Sequence, residues 1–170
     1  MARDLGDALP EELRALLGAG ELADREGKAL TLLTVDPEGW PHPALLSYGE
    51  VVALGARDIA VATYRESRTS GHMRRTGRLT LCLVDAGMAY YLKGEVREVE
   101  NPMAGFPGLA RFAVTVRAVL VDQAREDVEP EARLTGGITF EVGRDREASV
   151  PYWNRLRKAL AERGVAVSPR

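Results

Sequence analysis

The sequence predicts a mainly β protein, an antiparallel barrel or sandwich with a few flanking helices. Three observations favour this class. Six to eight short stretches alternate apolar and polar residues or are built from aliphatic and β-branched residues. Turn residues such as those at 36–39 (Asp-Pro-Glu-Gly) separate consecutive stretches at hairpin spacing. Helical periodicity is confined to a few segments that do not alternate with the strands, which argues against a parallel βαβ sheet.

The N-terminal segment, residues 1–27, is predicted to be helical. Pro10 suits the first turn of a helix, and the two glutamates that follow it complement the helix dipole. Three leucines then fall on one face at helical spacing. We therefore expect a helix over residues 10–17 and a further helical turn over residues 22–26.

Two hairpins follow in the first half of the chain. Residues 29–35 and 41–48 are predicted to be the arms of the first, with prolines only at the start of the second arm, where a strand ladder tolerates them. Residues 51–54 and 58–63 form the second pair, joined by a short connection that contains glycine.

Three more strands are predicted at residues 78–84, 89–99 and 111–121. In the second of these, alternation places two sets of side chains on opposite faces: Tyr91, Lys93, Glu95 and Arg97 on one, and Tyr90, Leu92 and Val96 on the other. The third has a single apolar face composed of Phe112, Val114, Val116, Ala118 and Leu120.

The C-terminal part is predicted to contain one short strand and one helix. The strand is expected at residues 137–142. Residues 150–163 form an amphipathic helix in which Tyr152, Leu156 and Leu160 recur at four-residue spacing. Residues 164–170 are expected to be a loose tail, and the whole chain, residues 1–170, is expected to be one domain.

Composition excludes several classes of partner. Of the 170 residues, 45% are hydrophobic and 28% are charged, which is ordinary for a globular domain, and the net charge is −2. No global field therefore attracts nucleic acid or anionic lipid. No apolar run approaches membrane-spanning length, and the N-terminus lacks the apolar core of a signal peptide. We expect a cytoplasmic protein with no nucleic-acid or membrane partner.

Cysteine and histidine are too sparse for common metal or thiol chemistry. Cys82 is the single cysteine and lies in an apolar run, so we interpret it as a small buried hydrophobe. It permits no internal disulfide, which is consistent with a reducing compartment. His42 and His72 are not accompanied by other ligands at metal-binding spacing, so no metal site is predicted. We expect His72 at a surface position of a short helix.

A basic segment at residues 63–78 carries the strongest functional signal. It contains five arginines and one acid, with Ser67 and Thr69 on either side of Arg68. A strand is predicted on each side of it, and Ser67 can cap a helix that begins between them. Guanidinium groups, hydroxyls and the free N–H groups of a helix start all bind phosphate. The alternative is a solvated helix face, which applies most clearly to Arg75.

Two fragments of the chain together resemble the pyridoxamine 5'-phosphate oxidase-like FMN-binding split-barrel family. Residues 32–43 are similar to the family's opening hairpin, A-T-x-D-x-x-G-x-P-x. Residues 67–69 (S-R-T), followed by residues 73–81 (M-R-R-T-G-R-L-T-L), are similar to its S-R-K/T and N-L-R-x-N-P-R-V-S-L motifs. The order and spacing of the fragments, rather than either alone, carry the resemblance, which covers residues 28–99 most clearly.

The resemblance implies an antiparallel six-stranded split β-barrel that forms a homodimer, with one FMN in each of two clefts at the interface. Arg68 and Thr69 match residues that hold the FMN phosphate, and Thr63 matches a strand-end contact to the flavin. Four consecutive residues match the strand whose backbone edges the isoalloxazine ring: Ala44, Leu45, Leu46 and Ser47. Ser67, as the capping hydroxyl, and Arg74, on the helix, complete the predicted cofactor-binding set. No catalytic residue is assigned.

Departures from the family pattern limit the predicted activity. Thr69 stands where many members carry lysine, His72 replaces the usual Asn, and Gly77 replaces the usual Pro. The C-terminal Trp and Arg-Leu-His-Asp-Arg signature of the oxidase proper is absent, and we interpret residues 151–157 as an ordinary amphipathic helix. Genuine oxidation of pyridoxamine phosphate is therefore not expected.

Three function classes remain. The first is an FMN-dependent oxidoreductase that acts on a small-molecule substrate, where the cofactor supplies the reaction chemistry. The second is a non-catalytic split-barrel module that binds flavin, deazaflavin or haem. The third is an interaction protein whose arginine run binds an acidic partner. We rank them in that order.

Overall fold

A computed structural model describes residues 2–22, 25–85, 87–125, 127–141 and 146–162. The strands are β1 Arg3–Asp4, β2 Lys28–Val35, β3 Pro41–Ser47, β4 Val51–Ala53, β5 Asp58–Tyr64, β6 Arg78–Asp85, β7 Met88–Glu100, β8 Leu109–Asp122 and β9 Ile138–Thr139. The helices are α1 Glu11–Leu17, α2 Arg68–Thr76 and α3 Arg146–Glu162, with a 3₁₀ helix at Tyr48–Glu50.

All described strand pairs are antiparallel and belong to one curled sheet. The main path runs β3-β2-β6-β7-β8-β5-β4, while β1 pairs with β8 and β9 pairs with β2. The two ends of this path, β3 and β4, are consecutive in the chain and are joined only by the 3₁₀ helix. The two open edges therefore meet at that corner, as in a split barrel. The predicted fold class is confirmed, although the main path has seven strands rather than six.

The corner between β3 and β4 is fixed by a capping box. The Ser47 side chain accepts a hydrogen bond from the Gly49 N–H at 3.2 Å. The Glu50 carboxylate in turn accepts from the Ser47 N–H at 2.7 Å. This reciprocal pair satisfies the free donors at the start of the 3₁₀ helix and ends β3 at Ser47. The predicted strand at 41–48 therefore stops one residue early.

The β7–β8 hairpin is the longest in the sheet, and one prediction about it is wrong. The alternation predicted for β7 is confirmed, because Tyr90, Leu92 and Val96 are buried. In β8 the inward face changes after Val116. Lys93 pairs with Ala118 and the next residue, Gly94, pairs with Val116, so Arg117 is an extra residue in the ladder. This bulge turns Val119 and Val121 into the core and moves Ala118 and Leu120 to the outer face.

The apolar residues form two clusters, one on each side of the sheet. The larger fills the barrel and includes leucines of α1, which close one end. The smaller lies outside β4 and β5, where α3 packs its Leu156 and Leu160 against Val52 and Ala60. The helix predicted at 10–17 is confirmed. α3 begins four residues before its predicted start and runs through Pro151.

Arg157 of α3 shows that this helix is not an ordinary amphipathic one. Its side chain is completely buried and donates to four backbone carbonyls. Nε bonds the Gly20 carbonyl at 2.9 Å, Nη1 bonds those of Tyr48 and Val51, and Nη2 bonds that of Gly18. Burial, together with the nearby Arg25, lowers the pKa of Arg157 to about 10, so the guanidinium stays charged at neutral pH. One side chain thus ties α3 to the N-terminal segment and the 3₁₀ corner.

The remaining predicted elements agree to within a few residues. The strand predicted at 137–142 is shorter, spanning Ile138–Thr139, and its last predicted residue lies outside the described residues. Part of the helical turn predicted at 22–26 and the tail at 164–170 also lie outside them. In the described part of the chain, no helix combines the length and the apolar character needed to cross a bilayer.

Candidate functional site

Helix α2 lies between β5 and β6 and positions the basic segment. Ser67 is its N-cap, and the Ser67 hydroxyl accepts from the Ser70 N–H at 3.1 Å. The helix ends at Gly77, which adopts a left-handed conformation with φ of 64°. A residue with a side chain would be strained there, so glycine fits the C-cap better than the proline usual in the family. The predicted helix start beside Arg68 is therefore present.

Three hydroxyl groups link the end of β5 to the first turn of α2. The Thr63 and Ser70 hydroxyl oxygens are 2.6 Å apart, and Ser67 Oγ lies 3.2 Å from Ser70 Oγ. Ser70 also donates to the Tyr64 carbonyl at 2.7 Å. Two predicted residues, Thr63 and Ser67, thus meet through Ser70, which the sequence reasoning did not single out. Their hydroxyls fix the strand-to-helix turn rather than standing free.

Arg68 and Thr69 are the unengaged polar residues of this turn. Arg68 is exposed and forms no hydrogen bond or ion pair in the described residues. Thr69 is only 6% exposed, and its side chain forms no hydrogen bond with the part of the chain that the structure describes. Across the described residues, no fully buried side-chain nitrogen or oxygen lacks a partner, so the Thr69 hydroxyl must reach the surface. A guanidinium and a hydroxyl are therefore both available to an anion at the positive end of α2.

Arg74 and Arg75 lie on different sides of α2. Arg74 Nε and Nη2 each lie 2.5 Å from Glu98 Oε2 on β7, so its charge is already matched. Six residues of helix separate Arg74 from Arg68, which turns it about 120° around the axis. Arg75 instead donates to the Val35 carbonyl on β2. The guanidinium of Arg74, a predicted cofactor contact, is therefore engaged by Glu98.

His72 is buried, so the predicted surface position is wrong. It is 8% exposed because the β2–β3 hairpin covers this face of α2. Its Nδ1 lies 3.1 Å from the Thr34 hydroxyl, and its ring meets that of His42 edge to face at 4.8 Å. Burial, followed by His42 and then by the two flanking arginines, lowers the pKa of His72, against an opposing effect of Asp36. The ring is therefore neutral at pH 7.

The predicted ring-binding strand is an edge. Within the described sheet, β3 pairs only with β2, so alternate backbone N–H and C=O groups face away from it. Ala44 is half-buried, Leu45 is 61% exposed and Leu46 points into the core. The Ser47 N–H donates to Glu50, and the Ser47 hydroxyl oxygen accepts from the Gly49 N–H, so only the hydroxyl hydrogen remains as a donor. The edge is available to a planar ligand along Ala44–Leu46.

An aromatic corner beside the start of α2 was missed by the sequence reasoning. Tyr64 is 71% exposed, directly after the predicted contact Thr63. The rings of Phe106 and Tyr152 meet at 5.6 Å. Burial, then Tyr64 and Glu50, raises the pKa of Tyr152. The Tyr152 hydroxyl therefore interacts electrostatically with Tyr64 at the end of β5 and with Glu50 in the 3₁₀ helix. The only signal in the sequence was the aromatic pair inside a helix that we treated as ordinary.

Two other features do not coincide with the predicted residues. A cavity of about 680 Å³ lies along β5, β7 and β8, lined by Ala60, Arg97 and Ala113 among others. None of the predicted cofactor contacts lines it. In the described ranges, no three His, Cys, Asp or Glu side chains gather closely enough to hold a metal ion.

Comparison with known proteins identifies the family. The family model described as pyridoxamine 5'-phosphate oxidase matches residues 9–135. The chain belongs to the pyridoxamine 5'-phosphate oxidase family. The matched span contains every predicted cofactor contact and runs from α1 through β8. Membership in the pyridoxamine 5'-phosphate oxidase family places the chain among flavin-binding split barrels.

Individual relatives agree with this assignment. The uncharacterized protein YclD of Bacillus subtilis (strain 168) is 30% identical over 154 residues, which cover 91% of this chain and 96% of YclD. A crystal structure from Lactobacillus delbrueckii, whose name refers to pyridoxamine 5'-phosphate oxidase, matches with a TM-score of 0.55 and 16% identity, covering 69% of this chain and 98% of the other. A conserved hypothetical protein from Mycobacterium tuberculosis matches with a TM-score of 0.54 and 17% identity, covering 79% and 98%. At these identities the structural matches show the fold alone.

Proposed function

We propose that the protein binds FMN and acts as an FMN-dependent oxidoreductase on a small molecule. One observation carries the proposal: at the capped start of α2, Arg68 and Thr69 offer a guanidinium and a hydroxyl that have no partners among the described residues. These groups fit a phosphate monoester in charge and donor geometry. Family membership makes a flavin nucleotide the ligand of first choice.

The ring of the flavin would lie along the outer edge of β3. This edge and the start of α2 lie at neighbouring elements, because His72 on α2 contacts His42 on β3. Backbone donors and acceptors of Ala44–Leu46 would face the polar rim of the ring. Thr63 would contribute through the strand end that it fixes to Ser70.

The division of labour between cofactor and protein follows from these residues. FMN, when bound, supplies hydride and electron transfer. Arg68 and Thr69 bind the phosphate, and the β3 edge orients the ring, so the protein's main contribution is positioning. Tyr64 and Tyr152 border the site and would limit the access of water and substrate. Because the C-terminal signature of the oxidase proper is absent, pyridoxamine phosphate is not the proposed substrate.

We also propose that two copies associate through the outer face of β3, β2, β6 and β7. Leu45 pairs with Thr31, Thr31 with Cys82, and Cys82 with Tyr91. Directly paired residues point to the same face, so these four side chains form one largely apolar row. Leu45 is 61% exposed in the single chain and, together with its half-buried row neighbours, offers apolar surface that a second copy could cover. A Leu45→Glu variant should be monomeric by sedimentation, whereas wild type should be a dimer.

FMN titration followed by flavin fluorescence tests the cofactor assignment. Arg68→Ala should weaken FMN binding by about 1.5–3 kcal/mol, the scale of a hydrogen bond to a charged group. Arg78→Ala is the matched control, because Arg78 is an exposed arginine just beyond the other end of α2. An FMN dissociation constant that is the same in wild type and Arg68→Ala contradicts the assigned role. Turnover of NAD(P)H by the FMN-loaded protein then separates an enzyme from a flavin carrier.

A further inference from the structure

The His42–His72 pair beneath the start of α2 has no role in the function proposed above. His72 is four residues after Arg68, so the two side chains lie on the same face of the helix. The pair forms where the β2–β3 hairpin covers α2. An imidazole next to an anion site can take up a proton when the anion binds.

Hydrogen bonds around Thr34 select one neutral form of His72. A long contact from the Thr34 hydroxyl to the His42 carbonyl, at 3.4 Å, favours the arrangement in which the Thr34 oxygen accepts from Nδ1–H of His72 at 3.1 Å. The neutral ring then carries its hydrogen on Nδ1 and its lone pair on Nε2. Among the described residues Nε2 has no partner, and it is not sealed from solvent. It is thus the atom at which His72 can gain a proton.

The charges around His72 oppose protonation when the anion site is empty. His42 on β3 and Arg75 and Arg68 on α2 all disfavour a second positive charge, and only Asp36, in the hairpin turn, favours it. No ion pair offsets the charge of Arg68 in the described residues. An anion bound to Arg68 would remove part of this repulsion and place a negative charge beside the ring.

We infer that the site at the start of α2 takes up its anion together with a proton, which His72 holds. The inference rests on the proposed function, because it assumes that the anion binds at Arg68. Thr69, the next residue, supports that location, since it is a polar side chain more than nine-tenths buried whose hydroxyl has no partner among the described residues. Binding linkage is reciprocal, so a ligand that favours protonation of His72 is itself bound more tightly as the pH falls.

The sign and size of the effect follow from linkage. If the bound anion raises the pKa of His72 by about one unit, the protein binds the anion about tenfold more tightly at a pH where His72 is protonated than at a pH where His72 is neutral. The phosphate of FMN also titrates near pH 6, with the opposite effect, because it loses charge on protonation. Comparison with a variant that lacks the imidazole cancels this contribution.

The experiment measures FMN affinity at about pH 8 and about pH 5.5 for wild type and His72→Asn. Asn keeps an N–H donor for Thr34 but does not titrate. Wild type should gain affinity relative to His72→Asn by about five- to tenfold on acidification. Calorimetry in buffers of different ionisation enthalpy should show proton uptake on FMN binding to wild type near pH 6.5 and less uptake with the variant.

A second variant protects the test against misfolding of the first. His42→Asn removes the neighbour that most disfavours a charge on His72, so maximal proton uptake should move to higher pH. Equal pH dependence in wild type and His72→Asn, or uptake unchanged by His42→Asn, overturns this inference while leaving FMN binding intact. Absence of FMN binding to wild type at either pH overturns the proposed function and this inference together.

Discussion

Gly49 lies directly against the indole of Trp153. A Cβ atom placed on Gly49 would be 2.6 Å from Trp153 Cγ and 2.7 Å from its Cβ and Cδ1. Real side chains do not approach so closely, so the 3₁₀ corner accepts only glycine here while α3 keeps its position. This contact sets how near α3 can come to the corner that ends β3.

Gly49→Ala should destabilise the protein by about 1–3 kcal/mol, because the added methyl overpacks the contact with Trp153. Gly71→Ala is the matched control. Gly71 is in the middle of α2, and no neighbouring atom lies within 4 Å of the position that an added methyl would take, so alanine there should stabilise by about 0.5–1 kcal/mol. Urea unfolding of both variants checks the pair, and equal unfolding midpoints would contradict the proposed packing.

Arg157→Met should destabilise by about 3 kcal/mol or more, because the buried carbonyls that accept its hydrogen bonds lose their donor. Arg155→Met, an exposed position on the same helix, should change the unfolding free energy by less than about 0.5 kcal/mol. Chemical denaturation at neutral pH compares them. A mild effect of Arg157→Met would show that α3 is not held by this side chain.

Arg74→Ala should reduce FMN affinity much less than Arg68→Ala. The Arg74 guanidinium is matched by Glu98 and lies on another side of α2, whereas Arg68 has no ion-pair partner in the described residues. Fluorescence titration of the two variants under one condition measures the difference. A larger loss of FMN affinity in Arg74→Ala than in Arg68→Ala would indicate that Arg74 binds the phosphate. Arg74 would then have to break its ion pair with Glu98 when FMN binds.

Glu50→Gln should stabilise the protein at neutral pH but not in acid. Burial raises the pKa of Glu50 above 4.5, despite opposing hydrogen bonds from Ser47. The folded state therefore binds the proton more tightly than the unfolded state, so the carboxylate costs stability as the pH rises through its folded pKa. Glutamine keeps an acceptor for the Ser47 N–H without this cost. Unfolding free energies near pH 4 and pH 7 measure the contrast, and a variant less stable than wild type at pH 7 would contradict it.

Much of the sheet could be predicted because its signals are local. The turn at 36–39 and the alternation on either side of it define the β2–β3 hairpin, and the capping serine beside Arg68 defines the start of α2. The family resemblance rested on the same segments. Both were visible because turn chemistry and N-caps depend on neighbouring residues.

The predictions failed where residues distant in the sequence determine whether a side chain is buried. The change of face in β8 depends on how Arg117 is accommodated opposite β7, which no alternation within β8 reveals. The burial of Arg157 was not predicted, because its partners are carbonyls far away in the chain. His72 is buried because the β2–β3 hairpin folds over α2, and helical periodicity alone cannot show that cover.

The open edge of β3 also affects how the protein must be handled. Backbone groups that can hydrogen-bond a flavin ring can equally pair with a strand of another protein molecule, which is the first step of aggregation. Pro41 and Pro43 remove two donors near the start of this edge, but Ala44–Leu46 carry neither charge nor proline. A ligand bound along this edge should therefore slow aggregation. Protein samples stripped of ligand should precipitate sooner than samples saturated with it.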